Sequence, residues 1–186
     1  MNTLKSTFLK AIALISLVLI VNSCDDDDPS TGIVIDPSLD ERGQFIQVHN
    51  DARAEVGVDA LVWSDELADY AEEWAIELSS RGCQLEHRPR DGAFKQIYGE
   101  NLYMSFSSNE ADVPSLAEAA LAWYSEIDDY NGEPIGESVA VVGHYTQIVW
   151  RNTTEVGAAK IKCDDGSYII VANYNPPGNW IGERPY

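Results

Sequence analysis

The sequence predicts an α+β domain in which helices come first and a mostly antiparallel sheet follows. Apolar residues recur at helical spacing through the stretches 45–56, 67–78 and 115–127. Beyond residue 143 the pattern changes, and the runs Tyr145–Trp150, Val156–Cys163 and Tyr168–Tyr174 are rich in β-branched and aromatic residues. Helices covering one side or both of a strand meander is the arrangement that this order implies.

Ser38-Leu39-Asp40-Glu41 has the form of a capping box and opens the first helix. Phe45, Val48, His49, Ala52 and Val56 then fall on one stripe, and Gly57 ends it. Ser64 caps a second helix whose buried stripe is Leu67, Ala71, Trp74, Ala75 and Leu78, with Gly82 as its stop. The stretch from Gly82 to Pro114 reads as irregular. Pro114 and Ser115 open a third helix reaching about Ile127. Three strands follow, the last two joined by Asp164-Asp165-Gly166 as a hairpin turn.

The start of the chain sets the compartment. The apolar run Ala11–Val21 is too short to span a bilayer and reads as the core of a signal peptide. Asn22-Ser23-Cys24 at its end resembles a bacterial lipobox, which puts the cut after Ser23 and lipid on Cys24. Ordinary secretion with an incidental cysteine is the alternative. Asp25–Asp28 resembles the export tag of surface lipoproteins in some Gram-negative bacteria, which places the chain at the outer membrane or cell surface. Residues 1–23 are thus expected as leader, 24–40 as a lipidated acidic tether, and 41–186 as one domain.

The chain has 12 basic and 31 acidic residues, a formal net charge of −19. Loss of 1–23 removes Lys5 and Lys10 and no acid, taking the charge to −21. Such a surface suits neither nucleic acid nor anionic lipid, so contact with membrane is expected only through Cys24.

Among groups able to bind metal or move protons, Glu100 and His144 stand out for their loop context. His49 falls on the buried stripe of the first helix and reads as a satisfied core histidine. Trp150, Tyr174 and Trp180 read as sheet core. No Gly-x-Ser-x-Gly elbow and no His-Glu-x-x-His helix is present.

Four ordered motifs carry a resemblance. They are His49-Asn50-Asp51-Ala52-Arg53, Gly99-Glu100-Asn101-Leu102-Tyr103, the run Gly143–Thr153 (GHYTQIVWRNT), and Asn173–Trp180 (NYNPPGNW). Together they resemble the CAP superfamily of cysteine-rich secretory, antigen 5 and pathogenesis-related class 1 proteins. The resemblance implies an α-β-α sandwich with an open cleft holding a His/Glu tetrad, which maps onto His87, Glu100, Glu126 and His144. It also implies a weak, exchangeable zinc ion on His87 and His144, with both glutamates behind them. A metal-free hydrogen-bonded network is the other reading of the same residues.

The family likewise implies a disulfide between Cys83 and Cys163, with free buried thiols as the alternative. Ala158 and Ala172 stand where plant relatives carry two further cysteines. The favoured role is a lipid-anchored binding module for a protein or small apolar ligand. A sterol at the loop 130–143 or a fatty acid between helices belongs to that reading, although only Tyr130 in the loop is aromatic. The competing role is a metal-dependent hydrolase using Glu100, Glu126 and His144. Oligomeric state is not legible.

Overall fold

The computed structural model describes residues 32–107, 109 and 112–186. The leader, Cys24 and the first part of the tether lie outside the described residues. Helix α1 (Glu41–Glu55) buries Phe45, Val48, His49 and Ala52, the stripe expected from its spacing. Its N-cap is Asp40, whose Oδ1 accepts from Gly43 N at 2.7 Å. The expected box on Ser38 does not form. Ser38 instead donates through its hydroxyl and its N–H to Asp36, while Glu41 accepts from Lys160 Nζ and Leu116 N. Ile33 and Ile35 pack against the core, so the packed unit begins before Glu41.

Strand β1 (Val62–Trp63) leads into α2 (Asp65–Ser80), capped by Ser64, and Gly82 ends it at φ +80°. The stretch that reads as irregular in sequence contains a full strand, β2 (Gly99–Phe106). Helix α3 (Leu116–Tyr124) has a true capping box, with Ser115 accepting from Glu118 N and the Glu118 carboxylate accepting from Ser115 N. Its last turn tightens into a 3-10 segment, Ser125–Asp129, which carries Glu126.

The largest departure follows. Tyr145–Trp150 is not a strand: residues Gly143–Ile148 form a short helix, α4. Its buried side chains Tyr145, Ile148 and the following Val149 sit at i, i+3 and i+4, but so short an apolar run carries no decisive period.

Strands β3 (Glu155–Lys162) and β4 (Ser167–Asn175) form the expected hairpin through the Asp164–Gly166 turn. The sheet order is β1-β3-β4-β2, with β1 parallel to β3 and the other pairs antiparallel. Ala158 faces Ala172 across β3 and β4.

Strand alternation divides the core into two layers. Ile170, Ala172 and Tyr174 join Val156 and Ala158 under α1, α3 and α4. Ile169 and Val171 join Leu102 under α2, together with Cys83 and Cys163. The result is helices on both faces of the sheet, as the family resemblance implies. Cys83 and Cys163 are joined as a disulfide. Of the three aromatic residues assigned to sheet core, Trp150 and Tyr174 are buried, while Trp180 is 56% exposed.

Helix α2 sits so close to β3 that a Cβ on Gly157 would lie within 3.0 Å of Ala68 N, Ser64 O and Leu67 C, all backbone. Gly157→Ala is therefore expected to destabilise the fold by about 1–3 kcal/mol, through overpacking that backbone cannot relieve. Urea denaturation measures it; an unchanged midpoint would contradict the close approach.

Candidate functional site

The loop after α2 is bound to that helix at several points, and this positions His87. The disulfide holds its start, Trp74 Nε1 donates to Glu86 O at 2.9 Å, and the Arg88 guanidinium lies 3.6 Å over the Tyr70 ring. Arg88 also donates to Tyr70 O and to the Glu73 carboxylate. Facing this loop, Glu100 Oε1 accepts from His87 Nδ1 at 2.7 Å and from Arg88 N at 3.0 Å. The Glu100 side chain is fully buried, whereas that of His87 is 57% exposed. Glu100 Oε2 has no hydrogen-bond partner among the described residues.

Glu126 and His144 form the second pair. Glu126 Oε1 lies 2.5 Å from His144 Nδ1, and its Oε2 accepts from the backbone N–H of His144 at 2.9 Å and of Tyr145 at 3.1 Å. One carboxylate therefore both orients the imidazole and satisfies the first free donors of α4. Trp123 lies under the His144 ring, nearly parallel to it, with centroids 6.1 Å apart.

The two pairs meet at the first residues of β2. Glu100 is the cross-strand partner of Asn173, on the α2 side of the sheet. Asn101, its neighbour, points to the other side, where Asn101 Nδ2 donates to His144 O and to the Tyr174 hydroxyl, both at 3.1 Å. The four residues thus stand as two separate imidazole–carboxylate pairs, tied to consecutive residues of β2. Among the described residues, no group of three or more His, Cys, Asp or Glu is arranged to hold a metal ion.

A carboxylate oxygen accepts, so each paired Nδ1 carries its hydrogen and each neutral ring keeps its lone pair on Nε2. This is the donor set of an open two-histidine site and no more. Neither imidazole hydrogen-bonds a hydroxyl or a thiol among the described residues.

A buried polar chain stands behind the second pair. His49 Nδ1 donates to Phe45 O at 2.8 Å, and its Nε2 accepts from the Tyr174 hydroxyl at 2.9 Å. Tyr174 in turn accepts from Asn101. His49 is a satisfied core histidine, as its position on the helical stripe implies, and burial lowers its pKa to about 4. Arg53, fully buried one turn further on, donates to the carbonyls of Asp59, Ile148, Trp150 and Thr153. Burial lowers its pKa to about 10, still charged at neutral pH.

Sequence reasoning did not assign Asn101, Arg53 or Arg88 to the site. The readable signal was that Asn101 and Arg53 fall inside the matching motifs and that Arg88 directly follows His87 in the run Cys83–Arg88.

Two openings adjoin the site. A recess of about 230 Å³ lies under the loop 130–143, lined in part by Pro134, Ile135, Val141 and Val142. A wider groove of about 760 Å³ runs between segments 90–100 and 177–183 and includes Glu100.

Comparison with known proteins places this geometry in context. Residues 46–174 match the profile of the CAP family, described as the cysteine-rich secretory protein family. Pathogenesis-related protein 1A of Nicotiana tabacum is 34% identical over 182 residues, covering 97% of this chain and 94% of that protein. Pathogenesis-related leaf protein 4 of Solanum lycopersicum is 41% identical over 145 residues, covering 76% and 81%. The solved structure of NaASP2 with Zn2+ superposes with a TM-score of 0.66 at 23% identity, covering 86% of this chain and 88% of that one.

The buried His49 gives the site a pH dependence of known sign. Its pKa falls from an ordinary 6.5 to about 4 on folding, so the unfolded chain binds more protons between those values. Stability is therefore full above about pH 6.5, is lost as pH falls toward 4, and loses nothing further to this group below that. The loss is of order 3 kcal/mol. Urea midpoints across pH 4–7.5 should show this slope, and His49→Gln should flatten it; an equal slope in that variant would contradict the assignment.

Proposed function

The chain belongs to the CAP family of cysteine-rich secretory proteins, as a member of the pathogenesis-related class 1 type, and from that premise we propose an extracytoplasmic binding module rather than a catalyst. The observation that carries this reading is the construction of the tetrad. Each imidazole is held at Nδ1 by its own glutamate, and among the described residues neither hydrogen-bonds a hydroxyl or thiol. Nucleophilic chemistry of the kind that couples serine or cysteine to histidine finds no such pair among those residues.

The same construction supports weak binding of a divalent ion. The imidazoles of His87 and His144 present Nε2, and Glu100 and Glu126 fix the rings in the tautomer that a metal ligand needs. With only two protein donors, affinity is low and exchange is fast. A bound ion adds a positive point of attachment for an oxygen of the ligand. The structure of NaASP2, which shares the fold, was solved with Zn2+.

The disulfide is consistent with an oxidising compartment. It uses two of the three cysteines in the chain, which leaves Cys24 for the lipid that the lipobox resemblance implies. The ligand recess under the loop 130–143, at about 230 Å³, is below the roughly 300–1,000 Å³ usual for small-molecule sites. It suits a short apolar group better than a sterol.

Titration of zinc into the metal-free chain tests the cleft. One weak site is expected, lost in His87→Ala and in His144→Ala, and weakened about 10- to 100-fold in Glu126→Gln. Unchanged affinity in both histidine variants would leave the metal-free network as the correct reading. For the anchor, Cys24→Ser is expected to move the protein from the membrane fraction to the soluble one; an unaltered distribution would argue for ordinary secretion.

A further inference from the structure

The groove between segments 90–100 and 177–183 has features that the tetrad does not explain. Its volume of about 760 Å³ falls inside the range of about 300–1,000 Å³ for ligand sites. Both segments contribute apolar side chains, with Trp180 on one and Ile97 on the other each 56% exposed and Tyr98 also in the lining. An exposed tryptophan on an irregular segment needs an explanation, and Trp180 is fixed in place. Its Nε1 donates to Pro177 O at 3.2 Å, and backbone bonds from Ile135 N to Glu183 O and from Gly182 N to Ile135 O hold the segment.

The rest of the lining includes Arg90, Gln96 and Glu183. Among the described residues neither the Arg90 guanidinium nor the Glu183 carboxylate makes an ion pair or a side-chain hydrogen bond, and Gln96 uses only its amide nitrogen, on Tyr98 O. A rigid aromatic face next to planar polar groups with unused hydrogen-bonding capacity matches a pyranose. Such a ring has one face of C–H groups and a rim of hydroxyls, each a donor and an acceptor. The net charge of −19 disfavours a polyanionic glycan.

We propose that this groove binds a short oligosaccharide of neutral or amino sugars, with Trp180 as the stacking platform and Arg90, Gln96 and Glu183 reading the hydroxyl rim. This rests on the binding-module reading above and names its ligand class.

The test is titration of the full chain with cellotriose, chitotriose and the glucosamine trisaccharide, with a heparin trisaccharide as the polyanionic control. It is followed by tryptophan fluorescence and ligand-observed NMR, in chelator so that zinc plays no part. At least one neutral or amino trisaccharide is expected to bind in the micromolar-to-millimolar range. Affinity should fall at least about tenfold in Trp180→Ala and recover largely in Trp180→Phe. No binding up to about 10 mM, binding indifferent to Trp180→Ala, or binding of the heparin fragment alone would overturn the proposal. So would retention of extended peptides by the same groove without any saccharide affinity. Failure of the zinc site would appear separately, as lost metal binding with saccharide affinity intact.

Discussion

Consecutive side chains of an extended strand must point to opposite faces of the sheet, and the site depends on that constraint at Glu100 and Asn101. The register of β2 against β4 puts Glu100 beside Asn173, on the α2 side, where it receives the loop carrying His87. It puts Asn101 beside Ala172, on the opposite side, where its amide holds the backbone of His144. A slip of one residue would exchange the two faces and bury the carboxylate in the apolar layer. Because β2 is the edge strand, the two imidazole–carboxylate pairs lie where the sheet ends and solvent begins. The edge is itself covered in part, since Trp123 Nε1 donates to Leu102 O at 3.1 Å.

Helix α4 shows how distant residues complete a local element. Six residues are too few for a helix to persist on its own. Its N-terminal donors are satisfied by Glu126, which comes from the segment after α3. At the other end Arg53 of α1 collects the carbonyls of Ile148, Trp150 and Thr153. Losing that guanidinium would leave the carbonyls of Ile148 and Thr153 without their donor, at roughly 1–3 kcal/mol each, while Trp150 O keeps its bond from Thr153 N. The helix therefore exists because two charged side chains, from two other elements, close both its ends. The same dependence explains why His144 is placed so tightly: its N–H, its carbonyl and its ring each have a partner.

These long-range dependences also mark the limit of what the chain discloses by itself. The stripes of α1 and α2 were legible because they bury one face with an ordinary helical period, and the β3–β4 hairpin because its turn chemistry is local. Residues Tyr145–Trp150 read as a strand, since the caps that make them helical lie 18 and 95 residues away in the sequence and leave no local trace. Strand β2 was hidden by the alternation of Glu100, Asn101, Leu102 and Tyr103, where buried polar residues interrupt the apolar pattern. Glu100 and His144 stand out in the sequence for a loop context that the fold does not give them, since Glu100 lies in β2 and His144 in α4. His87 and Glu126 came only through the family resemblance, and their pairing with specific partners required the fold. Trp180 read as core and is exposed, because the segment after β4 turns away from the sheet to form one wall of the groove.

The central claim is that each of two imidazoles is fixed at Nδ1 by its own glutamate, which leaves Nε2 without a hydrogen in the neutral ring. Nitrogen-15 chemical shifts of the histidine rings, recorded above the titration of the free imidazole, measure this directly. The account predicts that His87 and His144 both carry hydrogen on Nδ1 and none on Nε2, the tautomer that His49 adopts in the core. Hydrogen on Nε2 in either cleft histidine would mean that its carboxylate partner does not hold it, and the account of the site would be wrong.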